Sequence, residues 1–270
     1  MTNHRFDAAI ALKPDSAERE LFHGGTSPDY GNMVGPFGGT TAATLLQAVL
    51  DSPEVLGSPV SLTVNFAAPL ADGPFTIATR PVRTNRSNQH WLLELQQDAV
   101  PVVTGSLVTG LRRETWADTE VRPPEVAAPE ELTPQQPPDG IAWAANYDIR
   151  FAQGALPTPG SGESADSTTT LWVRDDPPRQ LDFPGLAARC DVFFPRVFLR
   201  HGQYVPAGTV SMTAYFHADA DTVARQAADH VLGTARAQRF GNGYFDQTAE
   251  LWGRDGSLLA TTHQIVYFKA

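Results

Sequence analysis

One stretch constrains the fold more than any other. It is Gly35-Pro36-Phe37-Gly38-Gly39 followed by Thr40-Thr41-Ala42-Ala43-Thr44-Leu45-Leu46-Gln47-Ala48-Val49-Leu50, a glycine-opened helix set among β segments. Ala42, Leu45, Leu46 and Val49 recur at i, i+3, i+4 and i+7, so one broad face is apolar and must be covered. Small side chains at Ala42, Ala43 and Ala48 let neighbouring strands pass close to the helix. The helix is predicted from about Gly38 to Asp51, with Ser52-Pro53 stopping it. Gly38 and Gly39 stand where the first helical N–H groups lack intrahelical partners, so an oxygen acceptor can dock there. The same glycines would also let the helix pack tightly on a sheet.

The strands to wrap this helix lie on both sides of it. Phe6 to Leu12 reads as a first strand, broken by Lys13-Pro14-Asp15, and Glu20 to His23 as a short second one. After the helix, Val60, Leu62, Val64 and Phe66 alternate with polar residues, a half-buried strand pattern. Phe75 to Val82, His90 to Gln96 and Val100 to Thr109 follow as further strands. From Arg112 to about Asp139 the composition changes to prolines interspersed with carboxylates, which predicts an extended linker on the surface. A polar Gly/Ser-rich insert runs from Pro157 to Ser167.

The second half then repeats the grammar of the first. Tyr147 to Gln153 and Thr168 to Val173 read as strands, and a helix enters at Asp182-Phe183-Pro184 with Asp182 near its N-cap. Leu186, Cys190, Phe193, Phe194 and Val197 keep helical spacing up to Gly202, and Pro195 would kink this helix or divide it in two. Thr209 to Phe216, Val231 to Phe240, Tyr244 to Trp252 and Leu258 to Phe268 complete four strands, the last two joined by the turn signal Asp255-Gly256. At 270 residues and 41% hydrophobic, the chain can bury two such cores. One helix wrapped by a long antiparallel sheet is the hotdog layout. The prediction is therefore an α+β double hotdog: residues 1–111 as the N-terminal unit, 112–142 as linker and 143–270 as the C-terminal unit. Joining the units edge to edge would hide two strand edges that otherwise invite aggregation.

A net charge of −10 argues against general affinity for nucleic acid or anionic membranes. No apolar run approaches a membrane span, and Met1 to Asp7 is polar, without a hydrophobic signal core. With one cysteine, Cys190, there is no internal disulfide and no multi-cysteine metal cluster. These features point to a soluble, cytoplasmic protein. Gly35 to Gly39 lacks the Gly-Lys-Ser/Thr of a phosphate loop. His217-Ala218-Asp219-Ala220-Asp221 reads as a solvated acidic turn rather than a metal site. No histidine is locally tied to Cys190, which reads as a packed helix cysteine rather than a nucleophile.

Three segments carry a resemblance. They are Ala188-Arg189-Cys190-Asp191-Val192-Phe193-Phe194-Pro195, then Gly208-Thr209-Val210-Ser211-Met212-Thr213-Ala214-Tyr215-Phe216-His217, then Arg254-Asp255-Gly256-Ser257-Leu258-Leu259-Ala260-Thr261-Thr262-His263-Gln264. In this order they resemble the acyl-CoA thioesterase II family, and the Phe37-Gly38-Gly39 helix opening matches its N-terminal pattern. The resemblance spans about two thirds of the chain and leaves the linker uncovered. It implies that Asp191 on the second-half helix, Thr209 in the next strand and Gln264 in the last strand hold the attacking water. It also implies an acyl-CoA substrate and, because hotdog proteins commonly pair their sheets, a homodimer.

The residue chemistry agrees in kind. Thioester hydrolysis needs a water polarised by a carboxylate, neutral groups to hold it, and donors for the oxyanion, which Gly38 and Gly39 would supply. Neither a covalent nucleophile, a cofactor nor a metal is called for. Arg80, Arg83 and Arg86, close together on and after one strand, are candidates for the coenzyme A phosphates, or else a solvated hairpin. The first-half helix carries Gln47 where some single-hotdog thioesterases place a carboxylate, so one working site is expected per chain, in the second half. Two competing readings stand beside hydrolysis. One is a non-catalytic acyl-CoA or lipid-binding module, and the other is a hotdog hydratase. The hydratase would need a paired histidine and carboxylate that neither helix displays.

Overall fold

A computed structural model describes residues 4–269; Met1–Asn3 and Ala270, which the expected domain boundaries take in, lie outside the described residues. The central helix, α2 (Gly38–Leu50), forms where its apolar stripe predicts, but it is buried all round from Gly39 to Leu46. Its threonines tolerate this because the Thr40 and Thr41 hydroxyls donate to Phe37 O and that of Thr44 to Thr40 O. The second face is covered by the other half of the molecule, through α3 (Phe183–Arg189).

The strands are β1 (Lys13–Pro14), β2 (Leu21–Gly25), β3 (Ser58–Phe66), β4 (Pro74–Thr84), β5 (Asn88–Gln97), β6 (Val100–Gly110), β7 (Tyr147–Gln153), β8 (Thr169–Asp175), β9 (Ala207–Phe216), β10 (Val231–Arg236), β11 (Phe240–Gly241), β12 (Tyr244–Trp252) and β13 (Leu258–Phe268). All belong to one antiparallel sheet in the order β1-β2-β4-β5-β6-β3-β9-β13-β12-β10-β8-β7, with β11 paired beside β12. Outward from the β3–β9 join, the order β3-β6-β5-β4-β2-β1 mirrors β9-β13-β12-β10-β8-β7, so the same connectivity occurs twice. This is the double hotdog, α+β, with its two wrapped helices packed on each other. Edge meets edge in register: Ser61 opposes Tyr215 and Asn65 opposes Ser211. The Thr63 and Thr213 hydroxyls lie 3.0 Å apart, and Ser211 Oγ donates to Asn65 Oδ1 at 3.0 Å. No edge remains free at the centre.

Several local expectations are corrected. The segment expected as a first strand instead begins with a short helix, α1 (Arg5–Ala9), capped by the His4 side chain, which accepts from Phe6 N. Phe6 and Ile10, four residues apart, both enter the core beside Tyr30, and that spacing suits a helix. The acidic stretch after β9 is not simply a turn, since Asp219 accepts from Thr222 N and caps α5 (Ala220–Arg225). The second-half helix does divide, into α3 and α4 (Val197–His201), the latter closed by Gly202 in the left-handed region. It stops at Arg189, before Pro195, which places Asp191 in the turn just beyond Cys190 rather than on the helix. The linker is not wholly superficial. Val126 and Leu132 pack against Trp172 and Trp252, Pro129 is buried, and Trp172 Nε1 donates to Ala127 O at 3.0 Å. The polar insert is tied to α4 through Ser164 N, which donates to Leu199 O at 3.1 Å. Among the described residues, no helix is long and apolar enough to cross a membrane.

Candidate active site

The break between α3 and α4 turns the chain toward the N-terminus of α2. That helix opens on Phe37, which has no capping side chain, and no acidic residue follows in its first turn. The missing acceptor comes from the other half: the Asp191 carboxylate accepts the Gly39 backbone N–H. The approach is close. A Cβ on Gly38 would lie 2.7 Å from Asp191 Oδ2, and one on Gly39 would lie 2.5 Å from Ala188 O at the end of α3. Gly38 and Gly39 are therefore both required by the helix–helix contact.

Gln264 comes to the same carboxylate from β13. Its side chain is buried and points inward, as do Thr262 and Val266 on alternate positions. Gln264 Nε2 donates to Asp191 Oδ1 at 2.9 Å and, more weakly, to Cys190 O at 3.4 Å. Thr209, on the neighbouring β9 near a bulge in the β9–β13 ladder, donates its hydroxyl to Gln264 Oε1 at 3.2 Å. The chain Thr209→Gln264→Asp191 fixes the direction of each bond, because the carboxylate can only accept. It leaves the Thr209 lone pairs and the remaining carboxylate capacity unspent.

The carboxylate carries no cationic partner among the described residues. The adjacent Arg189 turns away and is paired in the core with Asp175 at 2.9 Å, both 1% exposed. Burial pushes the Asp191 carboxyl up to about 7, against the opposing pull of the Gln264 and Gly39 hydrogen bonds. A group poised there exchanges protons readily at neutral pH.

Asp191, Thr209 and Gln264 line one cavity of about 460 Å³. Its other walls are largely apolar and include Phe151, Phe194, Phe198 and Val266. Phe37 and Trp143 stack at 4.2 Å on one side, and Gln135, Pro137 and Asp139 of the linker complete it. The size and lining suit an apolar small-molecule group beside a short polar relay.

A family model described as the acyl-CoA thioesterase C-terminal domain matches residues 124–268, and one described as the N-terminal domain matches residues 26–110. The chain belongs to the acyl-CoA thioesterase family. Among solved structures, a protein of unknown function with hot dog fold from Alicyclobacillus acidocaldarius is 49% identical, with a TM-score of 0.95 over 100% of this chain and 99% of that one. A putative thioesterase II from Thermobifida fusca YX superposes with a TM-score of 0.84 at 20% identity, covering 100% of this chain and 99% of that one. The acyl-CoA thioesterase II TesB2 from Mycobacterium marinum superposes with a TM-score of 0.78 at 16% identity, covering 98% of each. No curated protein sequence matches the chain.

In this acyl-CoA thioesterase family member the remaining candidates fall elsewhere. The Gly39 amide is spent on Asp191, which leaves the Gly38 N–H as the uncommitted one of the two glycine amides. Arg80, Arg83 and Arg86 do not line the cavity. Arg80 on β4 faces an outer groove with Glu18, Glu20 and Glu94, Arg83 Nε donates to Asn85 Oδ1 at 2.9 Å, and Arg86 is exposed in the β4–β5 turn. Cys190 is fully buried, and desolvation raises its thiol far above the ordinary range, as a packing residue requires. His217 bonds Thr261 Oγ1 at 2.9 Å. Gln47 bonds Asp51 at 2.7 Å on its own helix.

Two groups, Gln247 at the cavity wall and Arg196 buried behind it, escaped motif reasoning. Gln247 breaks the inward apolar series Phe245, Ala249, Leu251 on β12, and that polar intrusion was the available signal. Arg196 is 0% exposed, stacks on Phe194 at 4.2 Å and donates to Gln247 Oε1 at 3.1 Å, Ser167 O at 3.2 Å and Thr169 Oγ1. Nothing in the sequence distinguishes this arginine from a surface one.

Proposed function

We propose that the chain hydrolyses acyl-CoA to the free acid and coenzyme A by direct attack of water held by Asp191, Thr209 and Gln264. The water donates one hydrogen to the Asp191 carboxylate and the other to Thr209 Oγ, whose own proton is committed to Gln264. This leaves an oxygen lone pair directed at the thioester carbon. Asp191 takes the proton as the C–O bond forms, and the carbonyl oxygen becomes an oxyanion. Gly38 N–H, at the positive end of α2, is the donor suited to it. When the tetrahedral intermediate collapses, the C–S bond breaks and the proton on Asp191 passes to the departing thiolate. Acid and thiol leave, and the carboxylate is restored.

The observation that carries this reading is the directed relay from Thr209 through Gln264 to a carboxylate free of any cation, at the wall of a largely apolar cavity. The matched family supports thioester chemistry in general, and the relay supports attack by a held water. The acyl chain occupies the apolar part of the cavity, with the linker and the first-half helix start helping to enclose it. The test is coenzyme A release from short-, medium- and long-chain acyl-CoAs. Release above the uncatalysed rate with at least one chain length is expected. Tight binding of acyl-CoA with no release would instead favour a non-catalytic binding module.

A further inference from the structure

The inner face of the second half carries a donor that the hydrolytic relay does not use. Gln247 on β12 lies directly opposite Gln264 on β13, so their Cβ atoms are about 5 Å apart. It is 2% exposed and what surface it has lines the cavity. Its orientation is set from behind. Arg196 offers only donors, so its Nε bond at 3.1 Å requires the Gln247 oxygen to face the guanidinium. The amide NH2 is left toward the cavity, with no hydrogen-bond partner among the described residues. Arg196 has no carboxylate partner either: its acceptors are carbonyl, amide and hydroxyl oxygens. The local charge is therefore not neutralised, and the potential at the NH2 end favours an oxygen.

A hydrocarbon chain passing Gln247 would desolvate this donor and leave it unpaired, which is unfavourable. An acyl group carrying an oxygen at that point would satisfy it. We propose that Gln247, aimed by Arg196, is a specificity-determining residue that selects acyl groups bearing an oxygen acceptor a few bonds from the thioester. The inference rests on the reading that this cavity receives the acyl part of acyl-CoA. Because Gln247 is the cross-strand neighbour of Gln264, the oxygen positions to compare are the third and fourth acyl carbons.

The test compares butyryl-, 3-hydroxybutyryl- and 4-hydroxybutyryl-CoA as substrates of the full chain. For at least one hydroxy substrate, kcat/KM is expected to exceed that for butyryl-CoA by about tenfold, the discrimination of one buried hydrogen bond. In Gln247→Met the ratio should fall to about one. Gln247→Glu supplies Arg196 with a carboxylate, so it guards against a folding failure, and it too should lose the preference because it donates nothing. Calorimetric Kd values for the same three acyl-CoAs on Asp191→Asn read the preference without turnover. Failure of hydrolysis is thus distinguished from failure of this inference. Equal kcat/KM or Kd values for the three compounds, or a preference that survives both Gln247 substitutions, would overturn it.

Discussion

Asp191→Asn should change how the stability of this protein depends on pH. Burial holds the carboxyl near 7, whereas the same group in the unfolded chain titrates near 3.8. Between those values the folded chain keeps a proton that the unfolded chain releases. The associated stability is thus complete in acid and lost as pH rises through about 7. Linkage with these two values gives about 2.7 kcal/mol at pH 5 and nearly nothing at pH 8.5. This is an upper bound, since the half-buried carboxylate meets solvent in the cavity. Asparagine does not titrate, so the variant lacks this component while all other groups titrate in common. Urea unfolding of both proteins from pH 5 to 8.5 should show the wild type losing about 1.5–2.5 kcal/mol relative to the variant. In thermal melts that corresponds to roughly 3–10 °C at about 2–4 °C per kcal/mol. Parallel curves would mean that Asp191 ionises normally and that burial does not govern its protonation.

Three further outcomes follow from the same geometry. The kcat/KM for acyl-CoA should rise with pH and level off above about 7, since the raised carboxyl must lose its proton to act as base; a pH–rate profile flat from 5 to 9 would contradict this. Thr209→Val removes both the donor to Gln264 and the acceptor for water, and should lower kcat about 10–100-fold with little change in KM, read by steady-state kinetics. Gly39→Ala forces a methyl to within 2.5 Å of Ala188 O and should cost about 2–3 kcal/mol in urea unfolding. Because the shift of α2 also weakens the backbone hydrogen bond that lowers the Asp191 carboxyl, the midpoint of its pH–rate profile should move upward.

The fold was legible because its strands alternate and its turns are punctuated. The expected spans for β7, β12 and β13 match the observed ones residue for residue. Short helices were harder. Phe6 to Ile10 satisfies both an alternating and an i, i+4 pattern, and only packing against Tyr30 decides between them. The relay residues were reached through ordered family segments, since an aspartate, a threonine and a glutamine of ordinary type carry no spacing signal of their own. That the first-half helix lends its Gly39 amide to Asp191 could not be read at all. The two residues are far apart in sequence and meet only because the halves join at β3–β9. The same holds for the linker wall at Gln135 to Asp139 and for Arg196, whose burial follows from the break between α3 and α4. Long-range closure, rather than local propensity, builds the cavity.

The most direct test of water activation at Asp191 is single-turnover coenzyme A release with saturating enzyme in excess over acyl-CoA, wild type beside Asp191→Asn. A Cys190→Ser background removes the protein's only thiol from the readout. Loss of about 10²–10⁴ in the rate, with acyl-CoA Kd unchanged within a few-fold, is the predicted result. A variant that releases coenzyme A at close to the wild-type rate would contradict the assignment of Asp191 as the base.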